Sequence, residues 1–226
     1  MDDVGVIVPA WNEERDIKTV LDTLGSIHWV DQIIVVDDGS TDGTLEVARE
    51  CAMGFPRMTV LHLPENLGKG AAMLQGVRKL DGNIQNVVFL DADLIGLSEE
   101  HLKSLIKPVT DQACEMSVAI FKKGFWRTDL SQKFAPNLNG QRCLPLHAAE
   151  KALKLLAESG YGVEIGLTLY ARRNRWRIKY VDWPGMTHDM KENKLGFWEG
   201  YRIRAMMYKQ ILSTWISWRG RRNPEA

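Results

Sequence analysis

A chain of 226 residues, 45% hydrophobic and 26% charged, has the balance of a globular protein and the length for one large α/β domain. Its three scattered cysteines, Cys51, Cys114 and Cys143, form no Cys-x-x-Cys, so neither a disulfide framework nor a cysteine zinc site follows, and a reducing cytoplasm is the expectation. Net charge is zero, but residues 172–226 carry thirteen Lys/Arg against five Asp/Glu, which confines a basic surface to one end and argues against a nucleic-acid binder.

Met1-Asp2-Asp3 lacks the basic-then-apolar order of a signal peptide, and no apolar run approaches the roughly 20 residues that span a bilayer. Val4 to Pro9 reads as a first buried strand, closed by a proline that cannot donate to a sheet ladder. Beyond Ala10-Trp11-Asn12-Glu13-Glu14, apolar residues at Ile17, Val20, Leu21 and Leu24 have the spacing of an amphipathic helix, with acids in its first turn. Asn12 and Glu13 thus stand at a strand-to-helix junction. Helix capping accounts well for Asn12 and less well for Glu13.

Gln32 to Val36 is a second buried strand, running into Asp37-Asp38-Gly39-Ser40-Thr41-Asp42-Gly43-Thr44, a tight turn and cap for the helix that carries Leu45, Val47 and Ala48. Capping explains Thr41 or Asp42 but not two adjacent carboxylates at a strand end, which point past the sheet to a base or ribose. Met58 to Leu63 is a third strand. Pro64-Glu65-Asn66-Leu67-Gly68-Lys69-Gly70 then opens a helix with Ala71, Ala72, Leu74 and Val77. Amides at a helix start beside glycines, with a lysine, suit an anion; a plain helix start with a solvated lysine suits the residues equally. It is not a Walker A loop, because Gly70 stands where Ser or Thr holds magnesium.

Val87-Val88-Phe89-Leu90 is a strand buried on both faces, with Asp91 and Asp93 where it ends. Ligands of open α/β sheets bind beyond the carboxyl ends of the strands, and carboxylates with phosphate oxygens and water suit magnesium or manganese. Four strands alternating with helices predict a doubly wound parallel sheet. A fifth strand lies at Met116 to Ile120. Residues 122–141 show no period and read as part of a substrate site or lid. A helix follows from His147 to Ser159, ended by Gly160. Glu164 is a carboxylate in an apolar helix start, so it needs a partner or a substrate. A strand from Arg177 to Val181 leads to His188. From Leu195 on, aromatics alternate with Lys and Arg in a helix that either docks on the domain or lies on a membrane surface.

Val8-Pro9-Ala10-Trp11-Asn12-Glu13-Glu14, Val36-Asp37-Asp38-Gly39-Ser40-Thr41-Asp42, Glu65-Asn66-Leu67-Gly68-Lys69-Gly70 and Leu90-Asp91-Ala92-Asp93, in this order, resemble the family 2 glycosyltransferases with a GT-A fold. The resemblance implies one α/β, Rossmann-like domain with a mostly parallel central sheet flanked by helices. Residues 1–107 are then its nucleotide-sugar half, 108–190 its acceptor half, and 191–226 a C-terminal helical extension. It implies a nucleotide-sugar site at Pro9, Ala10, Asn12, Glu13, Asp38, Gly68, Lys69, Asp91 and Ala92, and catalytic roles for Asp91, Asp93 and Glu164.

The second half, through Gly160-Tyr161-Gly162-Val163-Glu164-Ile165-Gly166-Leu167 and His188, is similar to glucosyl-3-phosphoglycerate synthases and their retaining relatives, and the core also to polyprenyl-phosphate sugar transferases. That similarity implies Asp93 and His188 as ligands of Mg2+ or Mn2+, Glu164 near the donor sugar, and Arg142 at the acceptor. The expected reaction moves a hexose from a UDP- or GDP-sugar to an acceptor hydroxyl or phosphate. Retention is favoured because no carboxylate base stands out for inversion. The rivals are an inverting polyprenyl-phosphate transferase, a sugar nucleotidyltransferase and a non-catalytic nucleotide-sugar-binding protein. A nucleotidyltransferase normally has a Gly-rich basic loop where this chain has Pro9-Ala10-Trp11-Asn12. The expected partners are the donor, a small-molecule or lipid-phosphate acceptor, and a second copy of the chain, with a cytoplasmic location and peripheral contact at the inner membrane face through the C-terminal helix.

Overall fold

The computed structural model describes residues 3–121, 139–156 and 162–188, with the backbone alone at Thr187 and His188. The apolar runs become β1 (Val4–Ala10), β2 (Gln32–Asp38), β3 (Met58–Leu63) and β4 (Asn86–Phe89). Between them lie α1 (Ile17–Ser26), α2 (Thr44–Gly54) and α3 (Lys69–Lys79). The second half adds β5 (Leu94–Ile95), α4 (Glu99–Thr110), β6 (Met116–Phe121), β7 (Arg142–Pro145), α5 (Leu146–Leu156), α6 (Val163–Arg173), β8 (Ile178–Trp183) and β9 (Thr187–His188).

Seven strands form one sheet in the order β3-β2-β1-β4-β7-β6-β8. All run parallel except β7, which is antiparallel to β4 on one side and β6 on the other. The sheet is therefore mostly parallel, as expected, and the reversed β7 is the feature that the apolar pattern did not announce. Every residue of β1 is buried, because helices cover both sheet faces. One apolar core holds Val6, Val8, Val35 and Val88 against Leu21, Leu24, Ala48 and Leu105. The other holds Ile7, Ile34 and Phe89 against Met73, Val77, Leu153 and Leu167.

The chain steps outward from β1 to β2 and β3, then returns to place β4 on the other flank of β1. That reversal opens a crevice at the carboxyl ends of β1 and β4, the position where such sheets bind ligands. The small β5–β9 pair lies past the same edge, with Leu94 opposite His188. Both halves share one sheet, and β7 of the second half sits directly against β4 of the first.

Two local expectations change. Helix α1 begins at Ile17, so Glu13 and Glu14 precede it and no acid stands in its first turn. The helix expected from His147 starts one residue earlier, at Leu146, and is described to Leu156. The lid expected at 122–141, for the most part, and the C-terminal helix at 191–226 lie outside the described residues. Among the described residues, no helix is long and apolar enough to cross a membrane.

Helix α3 meets the sheet closely at Gly76, where an added Cβ comes within 2.6 Å of Ile7 Cγ2 and 3.1 Å of Val36 Cγ2. Both contacts are branched side chains on buried strands, which have little room to move. Gly76→Val is expected to cost about 2 kcal/mol through overpacking, read as a lower midpoint in urea denaturation; an unchanged midpoint would show that α3 can lift off the sheet.

Candidate active site

The loops after β1 and β2 are laced together. Asn12 has a left-handed backbone (φ 56°); its N–H donates to Ser40 Oγ at 3.0 Å, and its Oδ1 accepts from Thr41 N at 2.9 Å. Asn12 therefore braces the neighbouring loop and does not cap α1, which corrects the capping expectation. Glu13 is buried, and its backbone N–H donates to Thr44 Oγ1 at 2.8 Å. Pro9 and Ala10 end β1 beside Val36 and Asp37 of β2.

The adjacent carboxylates at the end of β2 face different tasks. Asp38 accepts from the amides of Leu67 and Gly68 at 2.8 and 2.9 Å, and so fastens the loop that leads into α3. Burial raises its pKa, against the pull of those two amides. Gly39 (φ 66°) makes this approach feasible, since a Cβ there would fall 2.4 Å from the Glu65 carbonyl carbon. Asp37 is fully buried; its Oδ2 lies 2.7 Å from His62 Nδ1, while its Oδ1 has no hydrogen-bond partner.

Lys69, the first residue of α3, is the hub of the crevice. Its Nζ donates to Asp91 Oδ1 at 2.5 Å and to Glu164 Oε1 at 2.6 Å, joining the end of β4 to the start of α6. Burial opposes the ammonium, but the two carboxylates more than offset it and hold its pKa above the ordinary lysine value. The second oxygen of Asp91 accepts from Gln141 Nε2 at 2.7 Å. Gly140 packs so close that a Cβ would lie 2.5 Å from Asp91 Oδ1. Both Asp91 oxygens are thus engaged.

Ala92 and Asp93 are buried in the turn that follows, and Asp93 directly precedes Leu94. Since Leu94 pairs with His188, the backbone brings Asp93 and His188 to neighbouring positions although 95 residues separate them. The His188 side chain lies outside the description. Arg142 is the residue expected at the acceptor. Its guanidinium is fully buried, with Nε donating to Asn139 O at 2.9 Å and Nη1 to Thr168 Oγ1 at 2.8 Å, so it braces β7 against α6. Burial lowers its pKa to about 10.

The crevice brings together Asn12, Glu13, Asp38, Gly68, Lys69, Asp91, Asp93 and Glu164 along one sheet edge. Sequence reasoning gave no role to His62, and took Gly140 and Gln141 only as the end of the 122–141 substrate-site or lid segment, with no individual role. The signal available was a polar, glycine-containing Asn139-Gly140-Gln141 run, one residue ahead of the apolar pair Cys143-Leu144.

A mostly parallel sheet with a switch-point crevice, a lysine at a helix start beside it and an Asp-x-Asp at a strand end defines a GT-A type α/β protein. The model of the family described as glycosyl transferase family 2 matches residues 5–145, and the chain belongs to that family. A dolichyl-phosphate beta-glucosyltransferase of Trichomonas vaginalis is 36% identical over 127 residues, covering 49% of this chain and 38% of that protein. Glucosyl-3-phosphoglycerate synthase of Mycobacterium tuberculosis is 27% identical over 195 residues, covering 74% of this chain and 60% of that protein. The chain therefore spans only 38–60% of the length of these two curated relatives. The crystal structure of the same synthase with phosphoglyceric acid superposes with a TM-score of 0.73 at 24% identity, over 99% of this chain and 82% of that one. Its complex with Mn2+, UDP and glucosyl-3-phosphoglycerate gives 0.70 at 24% identity, over 99% and 82%.

Removing the lysine leaves the buried Glu164 and the part-buried Asp91 without their shared cation. Lys69→Met is expected to lower the unfolding free energy by about 3 kcal/mol in urea denaturation, and adding Glu164→Gln to restore part of the loss. Equal stability of Lys69→Met and the unchanged chain would rule out the lysine as the organiser of the crevice.

Proposed function

We propose that this chain transfers a hexose from a UDP-hexose to an acceptor with retention of configuration, aided by Mg2+ or Mn2+. The observation that carries the reading is the Asp91–Lys69–Glu164 bridge at the switch point, with Asp93 beside the strand pair that ends in His188. UDP is the preferred nucleotide because the structurally similar synthase is described in complexes with UDP and UDP-glucose. Similarity to that synthase also runs beyond the family-matched half, which supports retention.

The donor set fits a hard cation: Asp93 supplies a carboxylate, and the Leu94–His188 pairing puts an imidazole-bearing residue next to it. Asp91 is less suited, since Lys69 and Gln141 already occupy its two oxygens. A bound cation neutralises charge on the departing diphosphate.

The chain's own groups do the rest. The laced loops after β1 and β2, with Glu13 and Asp37/Asp38, hold the nucleoside. The amides at the start of α3 and the Lys69 ammonium receive the diphosphate, where charge grows as the bond from the anomeric carbon to the phosphate oxygen breaks. With Oε1 held by Lys69, Glu164 turns Oε2 to the sugar. The acceptor oxygen bonds to the anomeric carbon, and its proton passes to the leaving phosphate oxygen. Arg142 acts through the scaffold, as the brace between β7 and α6.

A second reading, transfer to a polyprenyl phosphate, is favoured by the 36% identity to the dolichyl-phosphate enzyme over 127 residues. Incubating the protein with radiolabelled UDP-glucose, Mn2+ and either 3-phosphoglycerate or dolichyl phosphate separates the two. Label in the aqueous product supports the first reading, and label in the organic phase supports the second.

UDP with Mn2+ is expected to raise the melting temperature by mass action, and Asp93→Ala to abolish the part of the shift that needs metal. No shift with any nucleoside diphosphate, with or without metal, would sink the proposal.

A further inference from the structure

We infer that Gln141 is a specificity-determining residue of the donor site, accepting a hydrogen bond from a hydroxyl of the transferred sugar. The inference deepens the glycosyltransferase reading and rests on it. Gln141 is fully buried just before β7, and Phe89 pairs with Arg142, so Gln141 stands past the carboxyl end of β4 alongside Asp91. Its Nε2 donates to Asp91 Oδ2 at 2.7 Å. The opposite amide orientation would set two acceptors against each other, so the carboxylate fixes Oε1 as the end of the planar amide turned away from Asp91.

That Oε1 is buried and has no hydrogen-bond partner. Among the described residues only two buried side-chain atoms are in this position, and the other is Asp37 Oδ1. Folded proteins rarely leave such atoms unmatched, yet both occur along the same ligand-binding edge of the sheet. They lie on either side of β1 and β4: Asp37 near the end of β2 on the nucleoside side, and Gln141 just before β7 on the far side of β4. A nucleotide sugar that runs from the β1 and β2 loops past Lys69 has its sugar on that far side.

The chemistry of the oxygen narrows what it meets. An uncharged amide oxygen accepts and does not donate, so phosphate and carboxylate are excluded and a hydroxyl or amide N–H is required. Glu164, Lys69, Asp91 and Gln141 form one unbroken hydrogen-bonded row, with acceptors for hydroxyls at both ends. Gly140 keeps the row tight, because any side chain there would push against Asp91.

The test compares binding of UDP and of the best-bound UDP-hexose (UDP-glucose, UDP-galactose or UDP-N-acetylglucosamine) by calorimetry with Mn2+. Gln141→Met keeps the length and apolar packing but removes the amide. It is expected to weaken the UDP-hexose about tenfold while UDP changes less than twofold, the loss of one hydrogen bond made only by the sugar. Deoxy analogues of that hexose locate the hydroxyl: one of them loses affinity for the unchanged chain but none for Gln141→Met. Gln141→Asn, which keeps an amide, serves if the methionine variant fails to fold, and is expected to weaken the sugar nucleotide selectively too. Equal losses for UDP and UDP-hexose, or no loss, would overturn the inference while leaving the transferase reading intact. If the unchanged chain binds neither ligand, the transferase reading falls and takes this inference with it.

Discussion

The architecture of the crevice depends on one ammonium group. Lys69 is the first residue of α3, Asp91 follows β4, and Glu164 lies in the first turn of α6, so two ion pairs join three elements of the fold. Each member is expensive to bury alone. Together they are compensated, and Asp91 is further held by Gln141. On the proposed function the same group also meets the incoming diphosphate, which would compete with two carboxylates for one lysine and so couple ligand binding to the arrangement of Glu164.

The parts of this arrangement that the sequence disclosed are those with a local cause. Val87 to Leu90 reads as a strand because both faces are apolar, and Asp91 and Asp93 then fall at its end by counting. The strand–helix alternation of the first hundred residues likewise implied a parallel sheet, and the sheet is there. Sequence reasoning also posed two separate questions: what neutralises Glu164, and what anion Lys69 attracts. In the structure each is the other's answer, across 95 residues of chain, a separation that no spacing rule spans.

What stayed hidden had non-local causes. Asn12 looked like a helix cap because capping is the commonest local use of an asparagine before a helix. Its real partners, Ser40 and Thr41, belong to the next loop. The four residues of β7 include an arginine and a proline and carry no strand signature. They are strand because β4 and β6 flank them, and Arg142 is tolerated there because Asn139 and Thr168 satisfy its guanidinium. Missing β7 meant missing that Gln141 would be carried to Asp91.

The pairing of Leu94 with His188 also bears on how the molecule is made. Synthesis runs from the β1 side towards β9, so the loops after β1 and β2 and Lys69 are made before the segment that holds His188. Asp93 then waits for a segment synthesised 95 residues later before its neighbour strand arrives. Contacts of such sequence separation close slowly, because the loop entropy is lost before the contact is gained. On the proposed function, a chain folded only through β5 carries the nucleotide-side loops, Lys69 and Asp93 but lacks both Glu164 and His188.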